Sequence, residues 1–378
     1  MTAAGLIFSN IHDAAIPELT ARRTMASIPF AGRYRLIDFA LSNMVNSGIT
    51  KVGVITHYNY QSLLDHLGNG KDWDLARRHG GLKILPPFIT AYDNATAGRV
   101  YATRLEALMG VMNFINHCTE ENLVLSDCDV ICNVDLKAVM AEHEKNNADI
   151  TLVTATVSTA VQALDSNAQV ASWDGETNRL TDVGEYGGKK GKVNICTDIF
   201  VVRRTYLQRM VSEAISRGRT SFYKDIVYRN LKKGNFFVYH YDGFFARVNS
   251  LESYFSCSMR LLDPAQRELL FYRRNQPIVT KVRNSAPTRY LPLARVSNSM
   301  IADGCVIEGV VENSILFRGV HVGKGTVVRN SILMQDTYTG ENVRLNCVVT
   351  DKDVVIRDDR ELCGHETLPF YIGKGTTV

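Results

Sequence analysis

The sequence has no apolar run approaching the roughly 18 residues of a membrane-spanning helix, so no transmembrane anchor is expected. It has no Cys-x-x-Cys pair either. Its eight cysteines are scattered, most of them in apolar surroundings (Cys196, Cys305, Cys347), which reads as reduced thiols in a cytoplasmic protein. The opening MTAAGLIFSN lacks a basic n-region, so no secretory signal is expected. Charge of one sign is also missing. Basic residues number 43 against 39 acidic, a formal +4, which excludes a nucleic-acid arm and leaves local anion sites at most. What is present is ordinary for a folded protein: 45% hydrophobic and 22% charged residues exclude a disordered chain. A length of 378 residues exceeds the usual span of one core, so two domains are expected.

Through residue 262, short apolar runs alternate with amphipathic stretches. Leu6-Ile7-Phe8, Val52–Ile55, Leu123–Leu125 and Ile150–Val157 read as strands. Tyr34–Val45, Leu105–Ile115 and Leu136–His143 carry apolar residues at helical spacing. This alternation predicts a mostly parallel sheet covered on both faces, with ligands outside the carboxyl ends of its strands. The segments after Phe8, Ile55 and Leu125 are therefore the places to look for a site. Pro264, Pro277, Pro287 and Pro292 punctuate an Arg- and Asn-rich stretch, and residues 263–292 read as a linker.

From residue 293 to 378 the chain repeats. Asn298-Ser299-Met300-Ile301, Asn313-Ser314-Ile315-Leu316, Asn330-Ser331-Ile332-Leu333 and Asn346-Cys347-Val348-Val349 recur at spacings of 15, 17 and 16. Aliphatics fall six apart: Val310, Leu316, Val322, Val328 and Met334, then Val343, Val349 and Val355. Glycines such as Gly304, Gly319 and Gly325 sit at the turns. Six residues per side and about three sides per coil describe a parallel β-helix.

The segment Ile28-Pro29-Phe30-Ala31-Gly32-Arg33-Tyr34-Arg35-Leu36-Ile37-Asp38-Phe39-Ala40-Leu41-Ser42-Asn43, continued by Asn46-Ser47-Gly48-Ile49, resembles the glucose-1-phosphate adenylyltransferase (ADP-glucose pyrophosphorylase) family. The resemblance implies an α/β nucleotidyltransferase-like domain followed by a left-handed parallel β-helix. It implies adenylyl transfer from ATP to glucose 1-phosphate with Mg²⁺ in the catalytic members, where the protein supplies positioning and charge neutralisation.

This chain departs from the family at each part that handles phosphate or metal. The family's Gly-Gly-x-Gly-Thr-Arg loop reads Asn10-Ile11-His12-Asp13-Ala14-Ala15, so the glycines that admit close phosphate approach are gone and Asp13 adds a negative charge. Met25 replaces the Lys of an Arg-Ala-Lys-Pro motif. Asp129 keeps one metal-binding carboxylate of the family, but Arg247 stands where the second belongs. Glu185 survives from a sugar-phosphate-gripping Glu-Lys pair, with Tyr186 in place of the Lys. Ala102-Thr103-Arg104-Leu105 departs from the family's nucleotide-site motif as well.

The chain therefore resembles the non-catalytic regulatory subunits of that family. The expectation is a vestigial pocket around Asn10, Asp13, Met25, Asp129, Glu185, Tyr186, Asp225 and Arg247, with no metal or other cofactor held by this chain. The resemblance also implies a catalytic glucose-1-phosphate adenylyltransferase subunit as partner, in a hetero-tetramer. It makes Arg22, Arg23, Arg33 and Arg35 candidates for holding an anionic effector such as a sugar phosphate. Asp129 is expected to cap the turn that follows it. Two rival readings are an active nucleotidyltransferase rebuilt on Asp129, Asp225 and Arg22 or Arg23, and a stand-alone sugar-phosphate or nucleotide sensor.

Overall fold

Apolar runs buried on both faces form the central strands of the first domain, and half-exposed segments form the outer ones. In the computed structural model, which describes residues 2–87, 101–159 and 164–378, these are β1 (Ala3–Phe8), β2 (Lys51–Ile55), β3 (Gly81–Leu85), β4 (Asn122–Asp127), β5 (Val130–Cys132), β6 (Ile150–Ser158), β7 (Gln169–Trp173), β8 (Leu180–Glu185), β9 (Lys192–Arg203), β10 (Phe236–Tyr241) and β11 (Phe245–Arg247). The main sheet runs β3-β2-β1-β4-β9, and β9 then pairs with both β6 and β7. Pairings on the β1 side are parallel, as is β6 with β10. Every contact of β9 is antiparallel, because this 12-residue strand enters against its neighbours and bridges the two halves.

Two apolar clusters cover the sheet's faces, one around Leu6, Leu125, Phe200 and Phe236, the other around Ile7, Val54, Val124 and Val201. The helix Leu36–Asn46 buries Leu36, Ile37, Phe39, Leu41 and Met44, as its 3.6-residue spacing requires. The expected Leu105–Ile115 helix is two, Arg104–Gly110 and Met112–Asn116, separated after a glycine that weakens helix continuity.

The stretch expected to be a linker is structured. Asp263 accepts a hydrogen bond from the Ala265 N–H and Pro264 takes the first helical position, so Pro264–Phe271 is a helix whose Leu270 is buried. Asn133 donates to the carbonyls of Leu270 and Gln276, and Ile278 is buried too, fastening this segment to the first domain.

Beyond it, three parallel five-stranded sheets wind into coils. Register pairs Asn313 with Asn330, and then Asn330 with Cys347 rather than Asn346, so the last repeat is 17 residues and not 16. The corner residues Asn298, Asn313, Asn330 and Cys347 all have positive φ, which explains the asparagines, since Asn tolerates that conformation best among residues with a Cβ. The six-residue count slips accordingly. Val311, Val354 and Ile356 point inward with Leu316, Val322, Val328 and Leu333, whereas Val310 and Val355 face outward.

The two domains share one core. Phe30, Phe39 and Tyr254 of the first pack in the same cluster as Ile315, Phe317, Ile332 and Val349 of the β-helix.

Candidate functional site

Strand register brings the charged residues together. β1, β2 and β4 end side by side, with Phe8 opposite both Ile55 and Asp127. After Asp127 the chain turns through Cys128 and Asp129 into β5, which runs antiparallel to β11 and sets Val130 opposite Arg247. In β9 the register breaks between Cys196 and Phe200, and Asp198 there has φ +59°. A bulge of this kind re-aims a side chain, and here the Asp198 carboxylate joins the cluster. Arg104 opens its helix behind a reciprocal Thr103–Glu106 cap, which fixes where the guanidinium enters.

The contacts are dense. Arg104 Nε lies 3.2 Å from Asp127 Oδ1, and its Nη2 lies 2.6 Å from Asp127 Oδ2 and 2.8 Å from Asp198 Oδ1. The aromatic rings of Phe8, Phe200, Phe222 and Tyr223 surround that guanidinium at 5.3–5.8 Å. Arg247 Nη2 donates to Asp198 Oδ2 at 2.6 Å and to the Cys196 carbonyl at 3.1 Å, while its Nε stands 3.5 Å from Asp129 Oδ2. Tyr223 donates to Asp198 Oδ1 at 2.8 Å. At the mouth, His12 Nε2 lies 2.9 Å from Asp127 Oδ2 and 3.9 Å from Asp129, with 37% of its side chain exposed.

These neighbours set the charges. Burial opposes charge on His12, but Asp129, Asp127 and Asp198 outweigh it and push the imidazole up to about 9, so it is protonated at neutral pH. Burial alone would raise Asp198, yet Arg104 and Arg247 hold its carboxyl well below the usual carboxylate range. Burial wins at Asp129, whose pKa is raised in spite of His12 and Arg247. Three carboxylates thus face two guanidiniums and one imidazolium, and the formal charges cancel.

His12, Asp127 and Asp129 bring one ligand atom each within 4.8 Å of one another, which on spacing alone would suit a metal ion. Their bonding does not suit Mg²⁺. Both oxygens of Asp127 and both of Asp198 are already taken by cationic or phenolic donors. Among the carboxylate oxygens of this cluster only Asp129 Oδ1 is buried without a partner. A hard divalent ion seeks several oxygens, and here it would also meet Arg247 across the site. Asp129 does not cap the following turn, as the sequence reading expected; its side chain belongs to this ion cluster.

The remaining pocket residues are tied up locally. Asn10 donates to the His57 carbonyl and accepts from Tyr101 Oη. Asp13 Oδ1 accepts the Met25 N–H at 2.7 Å, and burial raises its pKa to about 7; the Met25 side chain lies in the interdomain core. Glu185 and Tyr186 lie apart from the cluster, Glu185 pairing with Lys224 at the surface and Tyr186 donating to the Lys189 carbonyl. Asp225 accepts from the Ser221 N–H and so serves its own helical turn, which leaves the rebuilt-site reading without its second carboxylate.

The four arginines separate. Arg22 is exposed, and Arg23 is buried in a pair with Asp351 of the β-helix, 2.8 Å to each oxygen, so Arg23 does not stand free for an effector as the sequence reading supposed. Arg33 and Arg35 line a shallow, open recess between the domains, and Lys281, Arg283, Arg318 and Lys352 complete its basic wall. Motif positions in the sequence do not single out these four, nor Asp127, Asp198, Arg104 and His12. Asp198 did leave a signal, a charge between the apolar pair Ile195-Cys196 and the run Ile199–Val202.

In Arg247→Ala, Asp129 and Asp198 lose a shared counter-charge. Breaking a buried pair of this kind costs about 3–5 kcal/mol of unfolding free energy in chemical denaturation. The variant is also expected to gain a Mn²⁺ site in electron paramagnetic resonance titrations, where the wild-type chain shows none. Equal Mn²⁺ binding by both would mean that Arg247 is not what excludes the ion.

Comparison with known proteins agrees with this architecture. Residues 16–163 match a nucleotidyl transferase family model, and residues 289–367 match a GlmU-like C-terminal hexapeptide model. The chain is 34% identical to the glycogen biosynthesis protein GlgD of Bacillus subtilis (strain 168), over 98% of this chain and 95% of that protein. It is also 34% identical to the GlgD of Geobacillus stearothermophilus, over 98% and 96%. A glucose-1-phosphate adenylyltransferase of Geobacillus stearothermophilus is 32% identical over 82% of this chain and 79% of its own length. With its strand-end cleft and hexapeptide β-helix, the chain belongs to the glucose-1-phosphate adenylyltransferase family.

Proposed function

We propose that this chain is a regulatory, largely non-catalytic subunit of a cytoplasmic glucose-1-phosphate adenylyltransferase complex in glycogen biosynthesis. Its partner is a catalytic subunit of the same family, in a hetero-tetramer. The observation that carries this reading is the closed charge balance of the cleft. Adenylyl transfer needs cations free to neutralise a triphosphate as charge moves. Here Arg104, Arg247 and His12 are already committed to Asp127, Asp129 and Asp198. A chain that keeps the fold but not the free charge acts by binding one state of its neighbour more tightly than another, and so shifting that population. The GlgD relatives, whose name refers to glycogen biosynthesis, support the pathway.

On the same reading, the basic recess holds the phosphate of an effector. Arg35 is buried and its pKa is lowered to about 10 by desolvation, so it stays charged at neutral pH. Lys352 is lowered to about 7 by burial and by the neighbouring Arg35 and Arg23, against the pull of Asp351. Its ammonium is therefore present below pH 7 and lost above it.

Two measurements test the reading. Co-expressed with a catalytic subunit from the same source, the chain should co-purify with it and raise its ADP-glucose formation, while forming none alone. Comparable turnover by the isolated chain would favour a rebuilt active site, and no association would favour a stand-alone sensor. Sulfate, whose charge does not change in this range, should bind several-fold more tightly at pH 6 than at pH 8 by calorimetry. Lys352→Gln should flatten that difference, and an unchanged pH dependence in the variant would remove Lys352 from the site.

A further inference from the structure

Positive charge is concentrated in one stretch of the first domain. Residues 203–233 hold nine basic side chains and two acidic ones, a net +7 against +4 for the whole chain, so the remainder is net acidic. Strand register places that stretch at the pole opposite the cleft. Arg203 ends β9 opposite Asn122, the first residue of β4, whose last residue is Asp127 of the ion cluster. Five steps of about 3.3 Å set those two ends roughly 17 Å apart. Phe236 opens β10 opposite Ile150, the first residue of β6, at the same pole.

Local contacts gather the cations there. Arg203 Nη2 donates to Asn147 Oδ1 at 2.6 Å, and Asn235 Nδ2 donates to the carbonyls of Asn146 and Asn147, which brings the chain after Tyr228 alongside. Arg179 donates to the Gly234 carbonyl at 3.4 Å. Arg209 lies over the Tyr206 ring, 5.3 Å from its centroid, and that ring meets Phe236 edge-on. Asn230 Nδ2 stands 3.8 Å from Met210 Sδ, so Arg229 lies beside the helix Arg204–Ser216. Arg179, Arg203, Arg209, Arg229, Lys232 and Lys233 thus share one pole, and all but the half-buried Arg203 are exposed. Among the described residues, none of the six forms an ion pair with a carboxylate. Two carboxylates of the same elements are engaged: Asp149 accepts the Asn235 N–H, and Glu213 pairs with Arg217 and Arg219.

Like charges held unpaired on one surface repel one another, and an acidic surface relieves that repulsion on binding. Guanidiniums match carboxylates in a two-pronged geometry, and Arg and Tyr are enriched where proteins meet. Tyr228 is 58% exposed beside Arg229, in a turn with no buried residue, and offers an apolar anchor within the basic field. One exposed ring suits a folded protein better than a nucleic-acid strand, whose bases stack on successive rings.

We propose that this basic pole is the surface on which an acidic face of the catalytic subunit docks. The inference rests on the partnership proposed above and adds the surface that makes it. Complementary charge of this kind acts mainly on the rate of encounter and is screened by salt. A partner seated at this pole leaves the strand-end cleft uncovered.

The test is the association rate of the full chain with a catalytic subunit from the same source, measured by surface plasmon resonance in low and high salt. The wild type should associate roughly tenfold faster at about 50 mM than at about 500 mM NaCl. Lys232→Glu combined with Lys233→Glu should lose that advantage and associate at the high-salt rate in both. Lys189→Glu combined with Lys190→Glu changes net charge equally, just before β9 and so at its far end from Arg203. That control should stay within about twofold of the wild type. Arg209→Gln and Arg229→Gln, milder changes at exposed positions, should each fall between, and they decide if the double reversal does not fold. A Lys232/Lys233 variant as fast and as salt-sensitive as the wild type would overturn the docking surface while leaving the partnership standing. An equal loss in the Lys189/Lys190 control would overturn it too, since net charge alone would then be at work. Polyuridylate binding that is lost in the Lys232/Lys233 variant, with catalytic-subunit binding unchanged, would make the pole a nucleic-acid surface instead. No association of the wild type with the catalytic subunit would remove the partnership and the surface together.

Discussion

Asp127, Asp129 and Asp198 are delivered to one place by the ends of β1, β2 and β4 and by the bulge in β9. Buried carboxylates so close together must find counter-charge or become protonated. In this chain the counter-charge is covalently attached, as the guanidiniums of Arg104 and Arg247, with His12 closing the mouth. Such a network adds little net stability over apolar packing of the same volume, and losing one member is costly. Its consequence is geometric: the strand ends keep their arrangement without a bound ion, and an arriving ion finds its place occupied.

The same economy of charge governs the domain junction, with the sign reversed. Apolar packing from Phe30, Phe39 and Tyr254 onto Ile315, Ile332 and Val349 fixes the domains against each other. Polar groups at the edge of that contact are unevenly matched. Basic residues of the first domain, the Pro264-to-Pro292 segment and the β-helix converge on the recess, and Asp351, behind Lys352, is engaged by Arg23. The charges of the cleft are paired with one another, whereas the recess at the junction is lined by six basic residues. A regulatory subunit needs the second property and can dispense with the first.

Much of this was legible in the sequence, because it followed from periodicity and from residue type at motif positions. The strands, the Leu36–Asn46 helix, the β-helix and the odd placement of Arg247 could all be read directly. What escaped depended on distance in the fold. Nothing local in Arg23 says that it pairs with Asp351, and nothing in Lys281 or Lys352 says that they face Arg35. Asp225, expected in the pocket, serves only its own turn. The slip from Asn346 to Cys347 shows a different limit, since asparagines mark the coil corners only while the corner keeps its asparagine.

The central claim is that this cleft no longer has cations to give. It is tested most directly by calorimetric titration of the chain with ATP, with and without Mg²⁺ in excess. The account predicts that magnesium leaves the affinity unchanged, because Asp127 and Asp198 are fully engaged and Arg247 stands beside Asp129, which alone keeps an open oxygen. Tighter binding in magnesium, abolished by Asp129→Asn, would contradict it.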